Sequence, residues 1–94
     1  MSWYGDIVDF VRNEIELGQA VRDARKGLGW TQATLAEKAQ VSRAYVITLE
    51  QGAGARAELG RALRVIRALG AQLALVPDPT PSYSDALTQL LDRG

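Results

Sequence analysis

Hydrophobic residues recur along this chain at spacings of three and four positions, the spacing that places them on one face of an α-helix. Through residue 70 the pattern predicts five helices, over about residues 3–16, 17–28, 32–39, 42–51 and 56–69. Gly29 follows the second helix and Gly70 the fifth, and glycine adopts the left-handed conformation of a helix C-terminus at low cost. The sequence therefore predicts an all-α fold in this region.

The third and fourth predicted helices are separated only by Gln40 and Val41, which leaves room for a tight turn and nothing longer. Thr31 and Ser42 stand at the starts of these two helices and have side chains that cap helix N-termini well. Two helices joined in this way form a helix-turn-helix. The second of them has polar residues and Arg43 on its outer face, as binding in the major groove of DNA requires. We therefore interpret the chain as a DNA-binding protein.

A segment with alternating apolar residues follows the helices, over residues 71–76, and prolines at positions 77, 79 and 81 end it. This pattern predicts a β-strand. Because a lone strand has no partner for its backbone groups, the economical arrangement is an antiparallel pair with the same strand of a second copy. We therefore predict a homodimer in which Leu73, Leu75 and Val76 pack across the dimer axis.

These elements divide the chain into four parts. They are an acidic amphipathic helix (residues 1–16), a helix-turn-helix DNA-binding domain (17–70), a dimerisation strand (71–77) and a proline-led tail with a short helix (78–94). We expect the tail to be flexible until something binds it, as chain termini commonly are.

The formal net charge is zero, with 11 basic and 11 acidic residues, which by itself argues against a nucleic-acid partner. The distribution of charge changes this picture. Residues 17–70 contain nine basic and four acidic residues, whereas both ends of the chain are acidic. The basic centre fits DNA, and the acidic ends are expected to face away from phosphate, where another protein can reach them.

Cysteine and histidine are absent from all 94 residues. This excludes zinc fingers, disulfide frameworks and catalysis by cysteine or histidine. We expect no metal, no cofactor and no enzymatic activity. The longest apolar stretch is far too short to span a membrane, and the first ten residues lack the features of a signal peptide. We therefore expect a cytoplasmic, nucleoid-associated protein without a membrane partner.

The segment from about residue 17 to residue 69 resembles the Xre/Cro-type helix-turn-helix of phage repressors and bacterial regulators. The residues that carry the resemblance are Arg25, Trp-Thr-Gln at 30–32, Leu-Ala at 35–36, Val-Ser-Arg at 41–43 and Leu-Glu-Gln-Gly at 49–52. Ile47 departs from the usual polar residue, which leaves its role open. The resemblance implies a lambda-repressor-like bundle, here with an extra N-terminal helix and the C-terminal strand.

The resemblance also implies roles for individual residues. Gln32 is expected to bind a phosphate, together with Thr31 and the backbone N–H groups at the helix start. Arg43, Ala44 and Thr48 match positions that face base edges. Arg43 suits guanine, and Ala44 suits a thymine methyl group. The alternative for Gln32 is that it only caps its own helix.

Further polar residues surround this set. Ser42 and Tyr45 have hydroxyl groups near the expected groove edge and are predicted to bind phosphate. For Tyr45, packing on a neighbouring helix is an equally weighted alternative. Arg56 is predicted to contact the DNA backbone. Arg25 and Glu50 match a pair that forms an internal salt bridge, so we predict a structural role for both.

The order of elements, a helix-turn-helix, a further helix and a lone strand, resembles the HipB-like antitoxins, whose partner is a HipA-like serine/threonine kinase toxin. This implies a dimer that binds a palindromic operator, represses its own operon and holds the toxin in a complex. The alternative is a stand-alone Xre-family or phage-type repressor without a toxin partner. A third alternative is an adaptor that no longer binds DNA, which the basic centre, Gln32 and Arg43 argue against.

Overall fold

The computed structural model describes residues 8–53, 58–77 and 90–91. Within these ranges the chain forms four helices: α1 (Glu14–Gly27), α2 (Gln32–Ala39), α3 (Arg43–Glu50) and α4 (Leu59–Ala68). Residues 90 and 91 also have helical backbone. No helix in the described ranges is long and apolar enough to cross a membrane. The described part of the chain is all-helical, in agreement with the predicted fold class.

The first helix begins later than the sequence pattern predicts. Residues 8–12 have no regular secondary structure, and the Asn13 side chain caps α1 by accepting a hydrogen bond from the Glu16 backbone N–H at 2.9 Å. The Glu16 carboxylate in turn accepts from the Arg12 backbone N–H at 2.6 Å, so the two side chains close the helix start together, much as in a capping box. The predicted helix is therefore wrong for residues 8–13, and its predicted boundary with the next helix lies inside α1. Residues 1–7 are outside the described ranges.

The helix-turn-helix is formed by α2, α3 and the turn between them. Thr31 caps α2 by accepting from the Thr34 N–H, and Ser42 caps α3 by accepting from the Tyr45 N–H, both at 3.0 Å. Between the two helices Gln40 adopts the left-handed conformation, with φ of 58°. The caps and the length of the turn agree with the sequence prediction.

A single hydrophobic core holds the four helices together. The largest side chains that are completely buried are Leu35, Leu49, Val46 and Val65. Around them α1 contributes Val21 and Ala24, and α4 contributes further buried residues. The main helix contacts join α1 to α3, α2 to α3, and α2 to α4. The inner side of α3 thus packs mainly against α1 and α2.

The buried face of α4 differs from the face that the sequence pattern predicts, which consists of Leu59, Ala62, Leu63, Ile66 and Leu69. Leu59 is the first residue of α4 and is 62% exposed, and Leu63 is only half-buried. Val65 is completely buried instead, together with Ala62, Ile66 and Leu69 at helical spacing. The reason is that the core contacts only the later turns of α4, so the apolar stripe that faces it begins one turn after Leu59.

A glycine allows α1 to lie directly against the end of α3. A Cβ atom at Gly18 would lie 2.5 Å from the Leu49 carbonyl oxygen and 2.7 Å from that of Glu50. Both are backbone atoms, so no side-chain rotation can relieve the overlap. Gly18 is therefore required for the observed position of α3 relative to α1.

Residues 71–77 form neither helix nor strand in the single chain. Their apolar side chains Leu73, Leu75 and Val76 are all exposed, with Leu75 fully so. The predicted strand needs a partner strand from a second copy, which a single chain does not supply. The strand and the dimer therefore stay predictions.

Candidate nucleic-acid interface

A buried ion pair lies beneath the outer surface of the helix-turn-helix. Arg25 on α1 donates from Nε to Glu50 Oε2 at 2.7 Å and from Nη2 to Glu50 Oε1 at 3.0 Å, and its Nη1 donates to the Trp30 carbonyl at 2.9 Å. The two side chains are only 10% and 5% exposed. The structure therefore contains the predicted salt bridge, which joins α1, the following loop and the end of α3.

The same carboxylate also positions Gln32. The Gln32 Nε2 donates to Glu50 Oε1 at 3.2 Å, which fixes the direction of the amide at the first turn of α2. An amide nitrogen has two hydrogens, so one remains free to donate to an anion. Thr31 already provides the N-terminal cap of α2. The Gln32 side chain is thus not needed as a cap, and its placement favours the phosphate-binding role over that alternative.

The outer face of α3 presents the residues expected to face bases. Arg43, Ala44 and Thr48 are all exposed. Arg43 has no hydrogen bond or ion pair with any residue in the described ranges, so its guanidinium is available. The Thr48 hydroxyl donates to the Ala44 carbonyl at 2.9 Å. It therefore offers an external ligand its lone pairs and its methyl group, but no proton.

Tyr45 packs inside the protein, which corrects its predicted place in the interface. The residue is only 8% exposed, and its hydroxyl donates to the Glu58 carbonyl at 3.2 Å. The guanidinium of Arg61 lies 5.8 Å from the ring centre. Burial raises the pKa of the Tyr45 hydroxyl, Glu58 raises it further, and Arg61 and Arg64 lower it. The structure thus supports the packing alternative, in which Tyr45 ties α3 to the start of α4.

Two further hydroxyl groups are exposed at helix starts. Ser42 and Thr31 each accept a backbone hydrogen bond as caps, and the Thr31 hydroxyl also lies 3.0 Å from that of Thr34. The Ser42 hydroxyl proton remains free to donate to a phosphate. Arg56, the remaining predicted DNA contact, lies outside the described residues.

A groove runs along α3 on the side that faces α1 and brings several of these residues together. Its lining includes Arg22 from α1, Thr31 and Gln32 from the start of α2, and Arg43, Ile47 and Gln51 from α3 and its end. Sequence reasoning missed Arg22 and Gln51 as residues of this surface and left Ile47 open. Arg22 precedes Arg25 by three positions, and this spacing places both on nearly the same face of α1. From this spacing the position of Arg22 beside the Arg25–Glu50 pair could have been predicted.

The residues 8–53, 58–77 and 90–91 contain no group of three or more acidic side chains arranged to hold a metal ion. The chemistry that this surface offers is instead that of hydrogen-bond donors and methyl groups. Three guanidinium groups and two side-chain amides line it, and one of the guanidinium groups, that of Arg25, already neutralises the one carboxylate. Such a surface suits a polyanion whose exposed edges carry hydrogen-bond acceptors and methyl groups.

A family model of the helix-turn-helix domain matches residues 16–78, which is more than half of the chain. The chain belongs to the helix-turn-helix domain family. No match to the chain was found among curated proteins. The match to this helix-turn-helix domain begins at the first turn of α1 and continues past α4 through the segment predicted to form a strand. The protein is thus an Xre-like DNA-binding regulator, with α3 as the recognition helix.

Proposed function

We propose that this helix-turn-helix protein is a sequence-specific transcriptional repressor that binds a palindromic operator as a homodimer. The observation that carries the proposal is the exposed, unpartnered face of α3, with Arg43, Ala44 and Thr48 beside a Gln32 amide that Glu50 holds in place. Occupying the operator would block access of the transcription machinery. No conformational change within the domain is required.

The contacts divide into those that read sequence and those that supply affinity. Arg43 would donate in pairs to guanine O6 and N7, a contact that is worth about 1–3 kcal/mol of discrimination. Ala44 and the Thr48 methyl group would contact thymine methyl groups. Gln32 and Ser42 would donate to phosphate oxygens, which fixes the position of the protein on the duplex without selecting a sequence.

The homodimer rests on the segment after α4. Leu73, Leu75 and Val76 are exposed and have no cover within the described chain. Pairing of residues 71–77 with the same residues of a second copy would cover these side chains and satisfy the backbone groups. Two recognition helices related by that axis would enter successive major grooves about 34 Å apart.

The proposal can be tested by selecting binding sites for the wild-type protein from a random duplex library and measuring the affinity of variants. Arg43→Ala should reduce discrimination between selected and scrambled sites by about 5- to 150-fold for each half-site, the equivalent of one lost bidentate base contact per subunit. Gln32→Ala should weaken binding to both sites by the same factor. Arg67→Ala, which changes an exposed arginine on α4, is the matched control and should bind as the wild type does. Unchanged binding of both test variants would refute the assignment of this face.

A second candidate is the role of a HipB-like antitoxin that also binds a HipA-like kinase toxin. The observation that favours a protein partner is the exposure of Val8, Phe10 and Ile15, three large apolar side chains next to the acidic start of the chain. Exposed apolar groups near one another commonly mark a protein contact. In this role the protein would be cytoplasmic and associated with the nucleoid.

The two candidates differ in what stays bound at high salt. The tagged protein would be purified from its native host at a salt concentration that removes DNA, and the bound chains identified by mass spectrometry. A stoichiometric kinase-like chain that is lost in a Phe10→Ser variant would establish the antitoxin role. Recovery of the protein alone as a dimer would establish the stand-alone repressor.

A further inference from the structure

We propose that Arg22 on α1 is a DNA phosphate contact, so that the interface extends from the helix-turn-helix onto the first helix of the domain. This inference rests on the proposed function, because it assigns a further contact to the same DNA. The partner group is a phosphodiester on the strand that runs along the α1 side of α3. The role would be one of affinity and orientation, without base selection.

The first observation is the position and freedom of Arg22. Its side chain is exposed and lines the same groove as Gln32 and Arg43. Among the described residues it forms no hydrogen bond, ion pair or ring contact. Arg25, one turn further along α1, is in contrast fully engaged with Glu50 and Trp30. Of these two arginines, only Arg22 is available to an external anion.

The second observation is the charge of the groove. The one carboxylate in its lining is Glu50, and both of its oxygens already accept hydrogen bonds from Arg25. Glu50 therefore does not neutralise Arg22 or Arg43. Arg22 and Arg43 both line this groove without a carboxylate partner in the described residues, so they give it a net positive charge that attracts an anion. A phosphate diester supplies that anion, and a guanidinium can donate to two of its oxygens at once.

The third observation is which element flanks the recognition helix on each side. An α-helix of roughly 10–12 Å diameter fills a major groove that is about 12 Å wide, so one phosphate strand must pass along each side of α3. Ile47 and Gln51 line the groove facing α1, whereas Tyr45 faces α4. With α3 in the major groove, we place the strand on the α1 side next to Gln32 and Arg22, which line that groove.

The test compares the salt dependence of DNA binding for wild-type protein, Arg22→Gln and Arg67→Gln. The probes are a duplex selected by the wild-type protein and a scrambled duplex of equal composition. Each neutralised phosphate contributes about −0.9 to the slope of log affinity against log salt. We expect Arg22→Gln to weaken binding to both duplexes equally, roughly three- to tenfold for each subunit. Because a dimer loses two phosphate contacts, the slope should become about 1.8 less steep. Arg22→Lys should keep the slope, and Arg67→Gln should match the wild type.

The outcomes separate this inference from the function on which it rests. If the wild-type protein selects DNA and Arg22→Gln binds it with unchanged affinity and slope, the Arg22 contact is refuted and the repressor proposal stands. If Arg22→Gln loses affinity only for the selected duplex, Arg22 reads bases and the phosphate assignment is refuted. If the wild-type protein selects no DNA at all, both proposals fall together. Thermal unfolding of each variant checks that the fold is intact.

Discussion

The two ends of the recognition helix are built in opposite ways. Its C-terminal end is held by contacts with α1, because Glu50 is in a buried ion pair and the Leu49 and Glu50 carbonyls lie against Gly18. At its N-terminal end, Ser42 caps the helix and Tyr45 packs inward, but Arg43 and Ala44 project into solvent and form no hydrogen bond or ion pair with a distant part of the described chain. In this helix of eight residues, the ion pair and the backbone contact with α1 are therefore at the C-terminal end, and two of the three side chains predicted to contact bases are at the N-terminal end. Firm anchoring at one end lets the other present side chains that contribute little to stability.

The largest effect is expected from breaking the anchored end at Glu50. In Glu50→Ala the Arg25 guanidinium stays buried without its partner, which should reduce the free energy of unfolding by about 3–5 kcal/mol. Urea denaturation followed by circular dichroism measures this loss. A loss below about 1 kcal/mol, the range of exposed ion pairs, would show that the pair does not anchor the helix.

The double variant Arg25→Met with Glu50→Leu sharpens the same test. Replacing both charges by apolar groups of similar size should recover most of the stability. Gln32 would still lack the carboxylate that orients it. We therefore expect a folded protein with weakened DNA binding, and recovery of both properties would contradict the positioning role of Glu50.

The next effect concerns the backbone contact between α1 and α3. Gly18→Ala places a methyl group against the Leu49 and Glu50 carbonyls and should destabilise the fold by about 1–3 kcal/mol, the usual cost of overpacking. Gly60→Ala is the matched control, because a Cβ at Gly60 in α4 has no atom within 4 Å. That change should stabilise the protein by about 0.5–1 kcal/mol, since alanine favours helix more than glycine does. Equal responses at the two glycines would refute the close-contact interpretation.

The smallest effect on stability is expected at the exposed end. Arg43→Ala and Thr48→Ala should each change the free energy of unfolding by no more than about 0.5 kcal/mol, as is usual for exposed positions. The same urea titration measures this. A loss above about 1 kcal/mol at Arg43 would show that the outer face also supports the fold and would remove the contrast between the two ends.

The sequence was sufficient where local chemistry decides the structure. The caps at Thr31 and Ser42 and the short turn between α2 and α3 could be predicted from residue type and spacing. The salt bridge of Arg25 with Glu50 followed from a family resemblance, because 25 positions separate the two residues and no local pattern connects them.

The sequence was insufficient where packing or a partner decides. The helical spacing of apolar residues continues on both sides of Asn13, so the pattern did not reveal that Asn13 is the cap at which α1 starts. For Tyr45 the sequence left phosphate binding and packing on a neighbouring helix equally weighted, and only the structure shows that the side chain is buried. The contact at Gly18 depends on the crossing of two helices that are distant in sequence. A strand over residues 71–77 depends on a second chain.

The glycine contact between α1 and α3 also determines which molecule must adapt when DNA binds. Because backbone touches backbone at Gly18, the distance between the wall that carries Arg22 and the wall that carries Arg43 cannot be adjusted by rotating side chains. A duplex whose groove has a different width must then bend or twist to fit, at an energy that depends on its base sequence. We therefore expect the preferred operator to include base pairs that no side chain touches, chosen for how easily they deform.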